Sequence, residues 1–221
     1  MTFGEKVIEF YEQLNPPDKL PKKVETLFPF KEDNVMEAVR IYNRKYFNDT
    51  NKRTFLIGIN PGRLGSGTTG IPFTDPIRLK SELDIDNSFD SKQELSSNFI
   101  YQMINAYGGS DSFYSNNYFT SVSPLGFVME GKNLNYYDIK ELEEALEPYI
   151  VAEMKKQLEF GAKPIAYSLG MGKNIAYLKK LNAKHHFFES IEPLPHPRWV
   201  MQYRLKRIQE FIDLYVSKLS A

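Results

Sequence analysis

Apolar residues recur along this chain with two spacings, and each spacing predicts an element. In GEKVIEFYEQL, Val7, Ile8, Tyr11 and Leu14 fall three to four residues apart. They predict an amphipathic helix over residues 4–14, stopped by Asn15-Pro16-Pro17. Val35, Val39, Tyr42 and Tyr46 predict a helix over 34–47, and Leu95, Phe99, Met103 and Tyr107 one over 92–107, ended by Gly108-Gly109. Between these two lies TFLIGI, a continuous apolar run with β-branched residues, which predicts a strand over 54–60 buried on both faces. Further strands are expected at Asn117–Val122, Pro164–Leu169 and Lys184–Glu192. Residues 138–159 are helical in period, with Pro148 read as the start of a second helix. Helices are also expected from about 173 to 181 and from about 200 to 219, the latter with Ile208, Phe211, Ile212, Tyr215 and Leu219 on one face. The segment 76–90 fits neither period.

Strands mostly separated by helices predict an α/β fold, a three-layer α/β/α sandwich with a central four-stranded parallel sheet. With 221 residues and no repeat or linker, a single domain over 1–221 is expected. Parallel strands end at one edge of their sheet, which is where such folds place ligand chemistry. That topology brings Asn60, Ser121, Gly170 and His196 together from distant parts of the chain.

Composition narrows the classes. Net charge is +0, from 28 basic and 28 acidic residues, which argues against a protein that coats nucleic acid but leaves room for local basic patches. There are no cysteines, which excludes disulfides, cysteine-based zinc sites and iron–sulfur clusters. No apolar run approaches the ~20 residues of a membrane span. The charged start, MTFGEKVIEFYEQ, does not resemble a signal peptide, so an intracellular location is expected and the Asn48-Asp49-Thr50 sequon carries no meaning.

A few residues stand out chemically. Asn60 sits where the strand stops, in Asn60-Pro61-Gly62; its amide can hold a water molecule, or it simply starts a turn. His196 lies between prolines in PLPHPRW, a setting that fixes a side chain able to stabilise developing charge. His185 and His186 read as strand residues, and three histidines without cysteine offer no metal spacing. Phe73, after the glycine-rich loop, is either core or a stacking surface for a planar ligand. Gly170-Met171-Gly172-Lys173 joins a strand to a helix and can contact phosphate through its N–H groups and Lys173, or merely cap the helix. Arg198, Trp199, Val200 and Met201 combine bulk with charge, as a wedge entering a duplex would, or Trp199 packs on the last helix.

The sixteen residues 58–73, GINPGRLGSGTTGIPF, resemble without gaps the first motif of the uracil-DNA glycosylase superfamily. The form is that of its single-strand-selective monofunctional (SMUG) branch. His196-Pro197 resembles the branch's second motif, Ser123-Pro124-Leu125 its Cys-Pro-Leu segment, and Gly170–Lys173 a further family turn. The resemblance runs from about residue 40 to 210 and implies the same α/β/α fold. It implies hydrolysis of the N-glycosidic bond of a deaminated base in DNA, without strand cleavage, metal or organic cofactor. By this likeness Asn60 positions the attacking water and His196 stabilises the departing base. Gly62, Ser66, Phe73 and Ser121 form the base pocket, and Lys173, Arg198, Trp199, Val200 and Met201 meet DNA. The expected partner is DNA bearing damaged or deaminated bases, met by a monomer away from membranes.

Two departures set this chain apart from the branch. Ser121 stands where the branch has an asparagine that reads the base edge, which opens the pocket to xanthine or hypoxanthine as well as uracil. The Ser-Pro-Arg-Asn-Pro wedge is replaced by Arg198-Trp199-Val200-Met201-Gln202. The alternatives are a non-catalytic nucleic-acid-binding module and a nucleoside or nucleotide hydrolase on the same fold.

Overall fold

A computed structural model describes residues 1–220. The first helix, α1 (Phe3–Gln13), starts at a reciprocal cap in which Thr2 and Glu5 satisfy each other's backbone N–H. Strand β1 (Val24–Leu27) leads to α2 (Asp33–Tyr46) and then to β2 (Arg53–Gly58). Two short helices follow, α3 (Ser66–Thr69) and α4 (Pro76–Ser81), then α5 (Leu95–Tyr107) and α6 (Ser110–Asn116). Strand β3 (Asn117–Ser121) precedes a hairpin of β4 (Gly126–Met129) and β5 (Lys132–Leu134). The chain closes with α7 (Lys140–Leu158), β6 (Ala162–Leu169), α8 (Lys173–His185), β7 (Ser190–Leu194), α9 (Pro197–Tyr203) and α10 (Ile208–Leu219).

The central sheet has the order β3-β2-β6-β7 and every neighbouring pair is parallel. This is the expected four-stranded sheet between helical layers. Central β2 is almost wholly buried, as its uninterrupted apolar run requires. Its one cation, Arg53, is fully buried, pairs with Asp49 at 2.7 Å, donates to the Tyr114 carbonyl and lies over the Phe3 and Phe47 rings. A buried charge needs such partners.

Four expectations require correction. Pro148 lies inside a single helix, α7, and does not start a second one. Leu142, Leu146, Ile150 and Met154 keep one buried stripe across it, and Pro148 itself is exposed, so the carbonyl freed by its missing N–H is left on the solvent side. His185 and His186 are not strand residues: His185 ends α8 and His186 caps it with a left-handed φ of 53°. The buried stripe of Ile175, Leu178 and Leu181 carries the helix that far, and β7 starts only at Ser190. The last helix is broken into α9 and α10 by a 3₁₀ turn at Leu205–Arg207.

The fourth concerns a second sheet absent from the expected layout. Antiparallel β1-β4-β5 packs beside the loop that follows β2. The left-handed pair Glu130 (φ 50°) and Gly131 (φ 74°) turns the hairpin between β4 and β5. Its closeness to the loop is set by glycine: a Cβ on Gly126 would lie 2.3 Å from the Pro61 carbonyl oxygen. From the other side, Gly67 donates to the Gly62 carbonyl at 2.9 Å, and a Cβ there would sit 2.5 Å from that oxygen. Residues 61–67 are thus clamped between α3 and the small sheet.

Candidate active site

Beyond the carboxyl ends of the parallel strands lies a cleft of about 550 Å³, lined in part by Asn60, Gly62, Ser66, Phe73, Ser121 and His196. Arg198 and Trp199 also face it. Lys173 lies outside it, in an adjoining apolar hollow that shares His196 and Trp199 with the cleft. Of the four residues expected to converge, Asn60, Ser121 and His196 line the cleft, and Gly170 lines the adjoining hollow.

Asn60 stands two residues past β2, and both ends of its amide are engaged. Its Oδ1 accepts from the Tyr136 N–H at 3.0 Å, and its Nδ2 donates to the Leu134 carbonyl at 3.2 Å. The side chain therefore stitches the loop after β2 to the segment after β5. Tyr136 in turn reaches Asn174 at 3.0 Å, and Asn174 donates to Ile57 of β2 and to Ser168 of β6. One acceptor site on Oδ1 and a weakly used N–H remain for a ligand or water.

His196 is the residue before Pro197, which opens α9 at a position where proline loses no helical bond. Its Nδ1 accepts the Arg198 N–H at 3.2 Å, so in the neutral ring Nε2 carries the proton and is the group left to donate. Burial first, and then the nearby Arg198 cation, lower its pKa to about 4. At neutral pH the site holds an uncharged imidazole donor.

Phe73 adopts a left-handed φ of 55°, an uncommon backbone state for a bulky residue. Its ring covers Gly58, where a Cβ would lie 2.9 Å from Cζ, and it packs on Phe119 with centroids 5.3 Å apart. It is 6.3 Å from the His196 ring. Ser121 sits at the end of β3 beside Gly58, and its hydroxyl makes no hydrogen bond among the described residues. At Gly62 a Cβ would meet Asn133 Nδ2 at 3.5 Å, an ordinary contact. Only a larger side chain would fill the cleft.

The wedge reading needs correction. Val200 is fully buried and Met201 is 9% exposed, so neither can reach a duplex from this conformation. Residues 197–203 form a helix, and its periodicity turns those two inward while Arg198, Trp199, Gln202 and Tyr203 face out. Trp199 packs on the last helix, the second reading considered for it, and also keeps an exposed edge. It is 39% exposed at the rim, while its ring packs edge-on against Phe211 and under Arg204. Arg63, Lys173, Arg198 and Arg204 are all exposed near this rim, giving a neutral protein a locally basic mouth.

Sequence reasoning missed Glu94, Ser96, Asn133 and Asn135, which also line the cleft. Glu94 falls between the unassigned segment and α5, and the two asparagines belong to the overlooked hairpin and its exit. The dipeptide Glu130-Gly131 was the available signal for that hairpin.

The parallel β3-β2-β6-β7 sheet thus presents an amide and an imidazole to one cleft at its carboxyl edge. Residues 44–220 match the family model described as the uracil DNA glycosylase superfamily, so the chain belongs to that superfamily and is a DNA glycosylase. The whole chain also superposes on the crystal structure of wild-type Pedobacter heparinus SMUG2. The TM-score is 0.97 and the identity 44%, over 100% of this chain and 97% of that one. Nothing among curated proteins matches.

Proposed function

We propose that this glycosylase is monofunctional, and that it extrudes a deaminated base, uracil or a deaminated purine such as xanthine or hypoxanthine, and hydrolyses its glycosidic bond with water. The observation that carries the reading is His196 lining the cleft beside Asn60 with its Nδ1 taken by the Arg198 N–H, which leaves Nε2–H to donate. As the C1′–N bond breaks, negative charge grows on the base, and a fixed donor stabilises it without itself having to lose a proton. Asn60 supplies the remaining amide capacity to hold water, its plane set by the bonds to residues 134 and 136. Phe73 offers an aromatic face to the extruded base. Ser121, a single hydroxyl in place of an amide, makes fewer demands on the base edge and so admits purines. Extrusion costs a few kcal/mol in a duplex and less in a single strand. Trp199 and the basic rim residues are the groups that meet the DNA.

The test uses oligonucleotides with one uracil, xanthine or hypoxanthine, followed by alkali. Strand breaks only after alkali, on at least one substrate, are expected. Intact product from all three overturns the reading, and breaks without alkali overturn the monofunctional part.

A further inference from the structure

Glu94 is the sole carboxylate among the described residues that line the cleft, and neither Asn60 nor His196 needs it structurally. It lies directly across from the loop after β2. A Cβ on Gly65 would fall 2.0 Å from its Oε2, and one on Gly62 would fall 3.9 Å from its Oε1. Gly65 is what admits the carboxylate to this place. Its backbone is fixed: the Glu94 N–H donates to Asp75 Oδ2 at 2.9 Å. Its carboxylate, in contrast, makes no hydrogen bond or ion pair among the described residues. A partly buried, unpaired carboxylate is a costly feature, and structure alone gives it no purpose.

The chemistry of the site has a matching need. Asn60 cannot accept a proton at neutral pH, and most of its hydrogen-bonding capacity goes to Leu134 and Tyr136. The neutral His196 is a donor on the cleft side and is aimed at the leaving base. Hydrolysis nevertheless produces a proton from water and passes through a sugar with positive character at C1′.

We propose that Glu94 is a third catalytic group of this glycosylase, a carboxylate that faces the sugar, stabilises its positive charge and takes the proton of the attacking water. This rests on the glycosylase reading above. The water oxygen bonds to C1′ while the C1′–N bond breaks, its electron pair leaving with the base beside His196 Nε2–H. One water proton passes to Glu94 and from there to solvent, which later protonates the released base. The groups facing Glu94 are Asp75 at the start of α4, and Arg198 and His196 at the start of α9; Arg63, in the opposite loop, is exposed. Burial first and then Asp75 push its pKa up to about 7, with Arg198 opposing. Activity that requires its ionised form rises with pH through that region. His196 makes no contribution there, because it is already neutral.

The deciding measurement is single-turnover base release from single-stranded oligonucleotides over pH 5–9 by wild type, Glu94→Gln and Glu94→Asp. Melting curves serve to confirm folding. The wild-type rate is expected to rise and level off with a midpoint near 7, as Glu94 ionises. Glu94→Gln should lose about 10²-fold on the plateau and become flat with pH, while Glu94→Asp keeps a pH-dependent limb at an intermediate rate. Binding to an oligonucleotide with an abasic analogue should change less than threefold in either variant. An active wild type with a full-rate Glu94→Gln overturns the inference and leaves the glycosylase reading intact. A rate that falls with pH through 7 also overturns it, since that makes Glu94 a proton donor. A wild type inactive on every base sinks both.

Discussion

The two sides of the cleft are built on opposite principles. On one, Asn60 spends its amide on backbone groups of residues 134 and 136, and Tyr136 passes the connection to Asn174, β2 and β6. On the other, the Ser121 hydroxyl and the Glu94 carboxylate have no hydrogen-bond partner among the described residues, and His196 uses one nitrogen and leaves the other free. Saturated groups hold geometry, and unsaturated ones wait for a ligand. Under the proposed function the contrast makes Asn60 both a framework residue and a reacting one, whereas the less saturated groups serve the chemistry alone. Substitutions there should cost activity without costing much stability.

The largest effect is expected at His196. His196→Ala should lower single-turnover base release by 10²-fold or more, roughly the value of one oriented donor, with only about 1 kcal/mol of stability lost with its helix cap. Denaturant melts beside kinetics check the split, and a large loss of stability would break the contrast. Asn60→Ala should also lose about 10²-fold in rate. It should in addition destabilise by about 1–3 kcal/mol, because the Tyr136 N–H and Leu134 carbonyl lose their partner. Equal stability of Asn60→Ala and wild type would show that the stitch holds nothing.

Glu94 sharpens the comparison from the stability side. A carboxyl whose pKa is raised in the fold is easier to ionise once unfolded, so its cost appears as pH rises above the unfolded value and is complete above about 7. Glu94→Gln should therefore be more stable than wild type at pH 8, by on the order of 1 kcal/mol after allowance for solvent in the cleft, and the gain should vanish near pH 4. Thermal melts at the two pH values would show it. For His196, with its pKa lowered to about 4, stability should fall as pH drops from about 6.5 toward 4. Its ring resonances should stay those of neutral imidazole between pH 8 and 5.5 in an NMR titration. The smallest effect is expected at Ser121. Ser121→Ala should change stability by no more than about 0.5 kcal/mol and alter the ratio of uracil to xanthine release more than either rate alone.

What could be read from sequence follows the physics of each element. The buried strand expected over 54–60 and its neighbour β3 announced themselves because they are apolar on both faces, whereas half-exposed β7 was expected from Lys184 and starts at Ser190; the shared strand edge placed Asn60 and His196 in one cleft. The site's remaining groups gave no such signal. Glu94 falls within the helix expected over 92–107 but stands just before the observed one, which starts at Leu95, and is held by one backbone bond to Asp75. Asn133 and Asn135 belong to a hairpin of short strands with half-exposed residues, whose alternation is too brief to stand out. In α9, bulk beside charge and the likeness to the family's wedge suggested that four consecutive residues met DNA. Helical geometry exposes only one face, which carries Arg198, Trp199, Gln202 and Tyr203 and turns Val200 and Met201 inward. Pro148 misled because its effect depends on whether the freed carbonyl meets water, which only the fold decides.

The clamp on residues 61–67 carries a kinetic corollary. With the Gly67 amide bonded to the Gly62 carbonyl and Gly126 pressed on Pro61, this loop has no independent way to open. The Gly67 amide proton, bonded inside the clamp, should exchange with solvent far more slowly than that of exposed Leu64. If, as proposed, the site receives an extruded nucleotide, the loop serves as a fixed anvil against which each one is tried, and the search for damage falls to the DNA and to the exposed α9 face.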